Sequence, residues 1–279
     1  QYQDGVAGFE RFLEIMDTTP EADAPDARDI GAVRGNIRFE NVFCRYGENK
    51  DVLRGVSFDI APGKTLALVG PSGGGKTTIC HLIPHFYDIT SGHIFIDNID
   101  INTVTLDSLR RSIGIVQQDI YLFNASIKEN ILYGRTDATD EEVIEAAKRA
   151  NIHEYILSME HGYDTQIGER GVRLSGGQKK LASIAGILTL DPALILMDEP
   201  SAALDPRNRR ALIGILNALP CAKLIASHDL DFIYDTCDRV LLLHHGQLAA
   251  DGPAREILCD KTLLERCELE LPLRWQRDF

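Results

Sequence analysis

The sequence has no apolar run near the roughly 18 residues that a bilayer-crossing helix needs, and no signal peptide at its start. Nothing in it is expected to span a bilayer. If the protein serves a membrane process, the membrane part is expected on another chain or cut away. There is also no C-x-x-C pair. The six cysteines (Cys44, Cys80, Cys221, Cys237, Cys259 and Cys267) have the spacing of neither a metal site nor a disulfide ladder, and read as reduced thiols of a cytosolic protein. Basic charge is scarce: 29 Lys and Arg stand against 42 Asp and Glu, giving a net charge of −13. That balance argues against a broad nucleic-acid surface. It leaves room for a nucleotide, because a few backbone N–H groups and one lysine hold a phosphate locally. No internal repeat and no low-complexity segment occurs.

What is present is ordinary globular composition, 44% hydrophobic and 25% charged over 279 residues. A chain of that length buries roughly three quarters of its unfolded surface and needs no disulfide or structural metal. Phe9, Phe12, Leu13 and Met16 have helical spacing, and Pro20 to Ala27 is an acidic, Pro/Ala-rich stretch that reads as a linker. The folded domain is expected to start near Gly35. Alternation around Ile37, Phe39 and Val42, and again from Val52 to Ile60, predicts half-buried strands. Leu66 to Val69, Ile113 to Val116, Leu194 to Met197, Leu224 to Ala226 and Val240 to Leu243 are short apolar runs. Runs of this kind suit strands buried on both faces. Helical stretches lie between them: 106–111, 139–159 with Thr139 or Asp140 as N-cap, and 178–190 ending before Asp191-Pro192. Strands alternating with helices predict an α/β fold with a parallel sheet covered on both faces.

Gly70-Pro71-Ser72-Gly73-Gly74-Gly75-Lys76-Thr77 fits G-x-x-x-x-G-K-[ST] without a gap, after a strand and at the opening of a helix. Glycines let backbone N–H groups converge on an anion, and the helix N-terminus adds positive potential. Lys76 is expected to reach the outer phosphates of a nucleotide, with Thr78 beside it, and the Thr77 hydroxyl to ligate Mg²⁺. The Leu194–Met197 strand ends in Asp198-Glu199, at the carboxyl edge where open α/β sheets bind ligands. Asp198 is placed to hold the Mg²⁺ shell, and Glu199 to polarise an attacking water.

With these motifs in place, the chain resembles the nucleotide-binding domains of ABC transporters over residues 35–258. Leu174-Ser175-Gly176-Gly177-Gln178 matches that family's signature, Ser201-Ala202-Ala203-Leu204-Asp205 its D-loop, His228 its switch histidine, Gln118 its Q-loop glutamine and Tyr46 its adenine-stacking aromatic. The resemblance implies a P-loop NTPase (RecA-like) core with an antiparallel β subdomain and an inserted helical subdomain over about 119–178. It implies ATP and Mg²⁺ as ligands, Gln118 as a Mg²⁺ or water sensor, and His228 on the γ-phosphate. It also implies a head-to-tail dimer in which Ser175, Gly176, Gly177, Gln178 and Asp205 serve the ATP of the opposite copy. The expected partner is a transmembrane domain, which would put the chain on the inner face of the cell membrane. Residues 1–34 would be a helix and linker trailing that domain, and 259–279 a C-terminal tail.

Some alternatives stay open at this stage. Tyr46 also fits an ordinary loop aromatic, His228 a satisfied strand-end histidine, and Gln117 the Q-loop position. His81 and His85 stand at i, i+4, but Pro84 lies between them and no third ligand is evident; His244-His245 reads as a turn before Gly246. Residues 1–178 are similar to bacterial multidrug exporters, through Phe86-Tyr87-Asp88, Leu122-Phe123-Asn124 and Gly168-Glu169-Arg170-Gly171. Residues 179–270 are similar to cobalt/nickel or energy-coupling importers, through Ala185-Gly186-Ile187-Leu188 and Ala226-Ser227-His228-Asp229-Leu230. That contrast, with Leu181 where the family usually has a basic residue, suggests a chimera joined near the signature that binds ATP but turns over poorly. An unusual natural branch is the competing account.

Overall fold

The computed structural model describes residues 2–46, 50–202 and 204–276; Ala203 of the D-loop stretch and the last three residues of the tail lie outside them. Its elements begin with α1 (Tyr2–Met16), β1 (Ile37–Tyr46), β2 (Lys50–Ile60), β3 (Thr65–Val69), α2 (Lys76–Leu82), β4 (Ser91–Ile96), β5 (Ile99–Asp100), α3 (Leu106–Arg111) and β6 (Ile113–Val116). A helical stretch follows: α4 (Ile127–Leu132), α5 (Asp140–Arg149), α6 (His153–Leu157) and α7 (Gly176–Leu188). The chain then gives β7 (Leu194–Asp198), α8 (Pro206–Ala218), β8 (Ala222–Ala226), α9 (Leu230–Thr236), β9 (Arg239–His244), β10 (Gln247–Pro253), α10 (Ala254–Cys259) and α11 (Lys261–Arg266).

Two sheets result. One is antiparallel, in the order β2-β1-β4-β5; the other runs β10-β9-β3-β8-β7-β6, parallel except for the antiparallel edge strand β10. The apolar runs explain the layering. Along β3, Leu66 and Leu68 pack with the antiparallel sheet, whereas Ala67 and Val69 pack with the helical side. In β7 the same division separates Leu194 and Leu196 from Ile195 and Met197. With a period of two and both faces covered, the middle of each of these strands is apolar, and the polar residues Thr65 and Asp198 stand at their ends. In β1, Ile37 and Phe39 are buried on odd positions but Val42 and Cys44 on even ones, because the pairing slips between Phe39 and Val42, where Asn41 has φ 48. The irregularity keeps one apolar face across the change of parity.

The 139–159 stretch is two helices rather than one. Thr139 caps α5 in a reciprocal capping box with Glu142, and the helix stops where Asn151 turns to φ 54 and Ile152 N donates to Ala147 O. That is a left-handed C-terminal cap, for which asparagine is suited.

Both ends of the chain need a correction. Residues 21–34 are not a free linker: they lie along α3. Arg110 Nη1 donates to Glu21 Oε2 (2.6 Å), Leu106 N donates to Asp23 Oδ1 (2.7 Å), Arg28 pairs with Thr103 and Thr105, and Ile30 is buried. The acidic composition answers a buried-edge arginine and an unsatisfied helix-start N–H. The same Arg110 donates to the carbonyls of Pro84 and His85, just past α2. At the other end, the expected tail is folded. Leu264 and Cys267 are in the core, Trp275 sits edge-on to Tyr234, and Arg274 pairs with Asp231 and Asp235. The four apolar residues of α1 singled out above are exposed, and no helix among the described residues is long and apolar enough to cross a membrane.

Candidate functional site

The loop between β3 and α2 is shaped by glycines whose neighbours leave no room for a Cβ. One on Gly70 (φ +154) would lie 2.2 Å from Leu243 O, and one on Gly75 (φ +101) 2.6 Å from Leu53 Cδ2. A Cβ on Gly73 would meet nothing within 4 Å, so the loop's outer side opens outward. Lys76 is 9% exposed and folds back over this loop, donating to Gly70 O (2.7 Å) and Pro71 O (3.0 Å). Burial holds its pKa below the ordinary lysine range, while Glu199 and Asp198 pull the other way. An ammonium hydrogen-bonded only to neutral carbonyls, beside a glycine-rich loop that opens a helix, is matched to an anion. Ser72 lies in the same loop, and Thr78 is buried one turn further on.

Opposite, β7 delivers Asp198, whose Oδ2 accepts from Thr77 Oγ1 at 2.8 Å. Glu199 follows at φ 46, a left-handed conformation that glutamate seldom adopts. Its N–H donates to Ala226 O (2.8 Å), fixing it to the end of β8. Its carboxylate accepts from Ser227 Oγ (2.9 Å) and from the N–H of His228 (3.1 Å), and His228 Nδ1 lies 2.9 Å from Oε1. The imidazole is mostly exposed and the carboxylate mostly buried. The structure therefore gathers Lys76, Thr77, Asp198, Glu199 and His228 on one sheet edge, with a hydroxyl–carboxylate pair fitted to a hard divalent cation.

Tyr46 ends β1 with its hydroxyl 3.5 Å from Thr78 Oγ1 and its ring edge-on to Tyr87, 5.1 Å between centroids. Gln117 and Gln118 both line a cleft with Thr77, His81, Cys80 and Asp198, so the geometry draws no distinction between them. His81 and His85 do not meet as a metal pair: His85 Nε2 bonds Asp88, and His81 packs on Phe86 and Tyr87.

The signature residues stand apart. Ser175 caps α7, its Oγ accepting from Gln178 N while Gln178 Oε1 accepts from Ser175 N at 2.8 Å. A Cβ on Gly177 would meet the Asn208 amide at 2.4 Å. Asn208 in turn donates to Asp205, the N-cap of α8, whose carboxyl is lowered first by the backbone N–H of Asn208. The signature and the D-loop aspartate thus share one face. Among the described residues no hydrogen bond or ion pair links that face to residues 70–78. Leu181 is buried in the main core and α7 is continuous past it, so its apolar character is used in packing.

Two groups here lay outside the sequence reading of the site. Ser227 holds the Glu199 carboxylate; its only signal is adjacency to His228. Asp229 is pushed up by burial, but bonds from Arg209 and Phe232 N outweigh this and hold it low. It anchors α9 behind His228, and only its partner across the fold reveals it.

Residues 53–202 match the family described as "ABC transporter". The chain is 40% identical over 260 residues to "Uncharacterized ABC transporter ATP-binding protein YwjA" of Bacillus subtilis (strain 168), covering 92% of this chain and 45% of that protein. It is 44% identical over 260 residues to "ATP-binding cassette sub-family B member 6" of Xenopus tropicalis, covering 92% of this chain and 30% of that one. Among solved structures, "Structure of a bacterial Atm1-family ABC exporter with ATP bound" superposes with a TM-score of 0.84 at 39% identity, over 95% of this chain and 47% of that one. The chain spans less than half the length of these three proteins. Alignments this long cross the expected junction near the signature, and the chimera reading gains no support from them.

Proposed function

This chain belongs to the ABC transporter family as an ATP-binding domain, and from that premise we propose that it is a Mg²⁺-dependent ATPase that works as a head-to-tail dimer with two nucleotides between its copies. The observation that carries this reading is the split within one chain: Lys76, Thr77, Asp198, Glu199 and His228 converge, while Ser175 to Gln178 and Asp205 form a second face with no direct hydrogen bond or ion pair to them among the described residues. A second copy supplies to each phosphate site the helix N-terminus that its own chain cannot bring.

In this reading Tyr46 stacks on the adenine, and the amides of residues 70–78 with the Lys76 ammonium hold the phosphates. Thr77 and Asp198, with Gln118, would hold the ion, which when bound would neutralise charge on the phosphates. Glu199 accepts a hydrogen bond from the attacking water, with its carboxylate aimed by Ser227 and the His228 N–H. The His228 imidazole, exposed on one side, turns to the terminal phosphate. The proposed partner is a transmembrane domain at the inner face of a membrane. Exposed Tyr121, Phe123 and Tyr133, the first pair edge-on at 5.3 Å and the second tilted at 4.5 Å between centroids, offer an aromatic patch for it next to the 168–171 loop.

The test is steady-state ATP hydrolysis across protein concentration, with Mg²⁺, beside Glu199→Gln. Specific activity rising with concentration in the parent, and a variant that binds ATP yet hydrolyses at least about 100-fold more slowly, are the expected results. Specific activity independent of concentration, or a variant that hydrolyses at the parent rate, would overturn the composite site or the role of Glu199 respectively.

A further inference from the structure

The hairpin joining β9 to β10 turns at His245 (φ 49) and Gly246 (φ 77), as the sequence suggests for a turn, but its two histidines do more than turn. One ring nitrogen of His244, one of His245 and one carboxylate oxygen of Glu268 all lie within 4.8 Å of one another. The rings are 4.0 Å apart at 44°. His244 Nε2 is buried and has no hydrogen-bond partner among the described residues. Glu268 stands at φ 60, where asparagine or glycine would sit more easily. Three lone-pair donors thus converge from two chain segments 23 residues apart, counting from 245 to 268, and the His244 ring carries a buried nitrogen without a hydrogen-bond partner among the described residues.

We propose that His244, His245 and Glu268 bind a divalent transition ion of the zinc type. Two imidazoles and one carboxylate favour zinc, nickel or copper over the oxygen-seeking magnesium and calcium. Donors around a tetrahedral zinc stand about 3.4 Å apart, so a closing movement of about 1.4 Å at most completes a three-ligand set, with water in the remaining position. The site is separate from the ATP site and shares no residue with it.

Its position gives the ion a structural consequence. His244 follows Leu243, whose carbonyl packs against Gly70 of the phosphate loop, and the hairpin also holds β2, since Arg54 N donates to Gly246 O (2.8 Å). Glu268 follows buried Cys267 and precedes Leu269, which lines the cleft beside His228. The ion therefore staples the C-terminal segment to the strand end behind the phosphate loop.

The experiment is calorimetric titration of the full chain with Zn²⁺, without nucleotide and with thiols reduced, repeated on His245→Asn and on the double variant His245→Asn/Glu268→Gln. Both positions are exposed, and asparagine tolerates the left-handed turn, so the variants keep the fold, as circular dichroism checks. One Zn²⁺ per chain is expected in the parent, weakened at least about 30-fold in the single variant and lost in the double. Thermal unfolding of the parent should shift upward with Zn²⁺ and that of the double variant should not. No stoichiometric binding in the parent, or binding of equal affinity in all three proteins, as a site on the cysteines would give, overturns the proposal.

Discussion

Lys180, in the second turn of α7, is 3% exposed and its Nζ is buried without a hydrogen-bond partner among the described residues. Burial holds its pKa below the ordinary lysine range, only partly countered by Asp119, Glu199 and Asp198. Lys180→Met keeps the length of the side chain and removes the charge. A buried donor without an acceptor costs about 1–3 kcal/mol, so the variant should be more stable by that amount. For a domain of this size each kcal/mol moves the midpoint by roughly 2–4 °C, giving a rise of about 2–12 °C. The pH dependence has a definite sign. Between the lowered folded pKa and the ordinary value, the unfolded parent binds more protons than the folded one, so parent stability climbs with pH in that window. The variant has no such proton, and its advantage is greatest below the folded pKa and shrinks as pH rises toward the ordinary lysine range. Differential scanning fluorimetry of both proteins, without nucleotide, at about pH 7 and about pH 9.5 reads this directly. A variant no more stable than the parent at the lower pH, or one whose advantage is the same at both, refutes the argument that an uncompensated ammonium sits there.

Two other substitutions have outcomes fixed by geometry. Lys76→Ala deletes the only side-chain cation on the phosphate loop and should weaken binding of a fluorescent ATP analogue about 10- to 100-fold, the worth of a charge-assisted bond, without lowering nucleotide-free stability. Gly70→Ala must displace either the loop or Leu243 O, and should lower stability by more than about 2 kcal/mol by chemical denaturation, with nucleotide binding lost in parallel.

How far the sequence was legible follows from how local each signal is. The phosphate loop and the Asp198-Glu199 pair are written within a few residues: glycine spacing, one lysine, a strand end. The buried strands were equally plain, because a strand covered on both faces reads as a short apolar run, with polar residues such as Thr65 and Lys223 confined to its first positions. The helix break at Asn151 was missed because a left-handed cap competes with strong helical composition on both sides. Residues 21–34 read as linker because their partners, Arg110 and the start of α3, lie some eighty residues away in the chain. The C-terminal segment was read as a tail for the same reason: Leu264 and Cys267 find their core only after the sheet has formed. Gln117 and Gln118 remain equivalent even in the structure, since both face one cleft.

The guanidinium of Arg110 gives the fold a mechanical junction. It grips Glu21 on the N-terminal strap, rides on the helix that leads through β6 to Gln117 and Gln118, and holds the two carbonyls that follow the phosphate-loop helix. Glu21 is one of several holds on the strap, beside Asp23, Arg28 and buried Ile30, and the only one of these whose partner also bonds the carbonyls after the phosphate-loop helix. One planar group thus ties the strap, the phosphate-loop helix and the helix leading to the glutamines into a single joint.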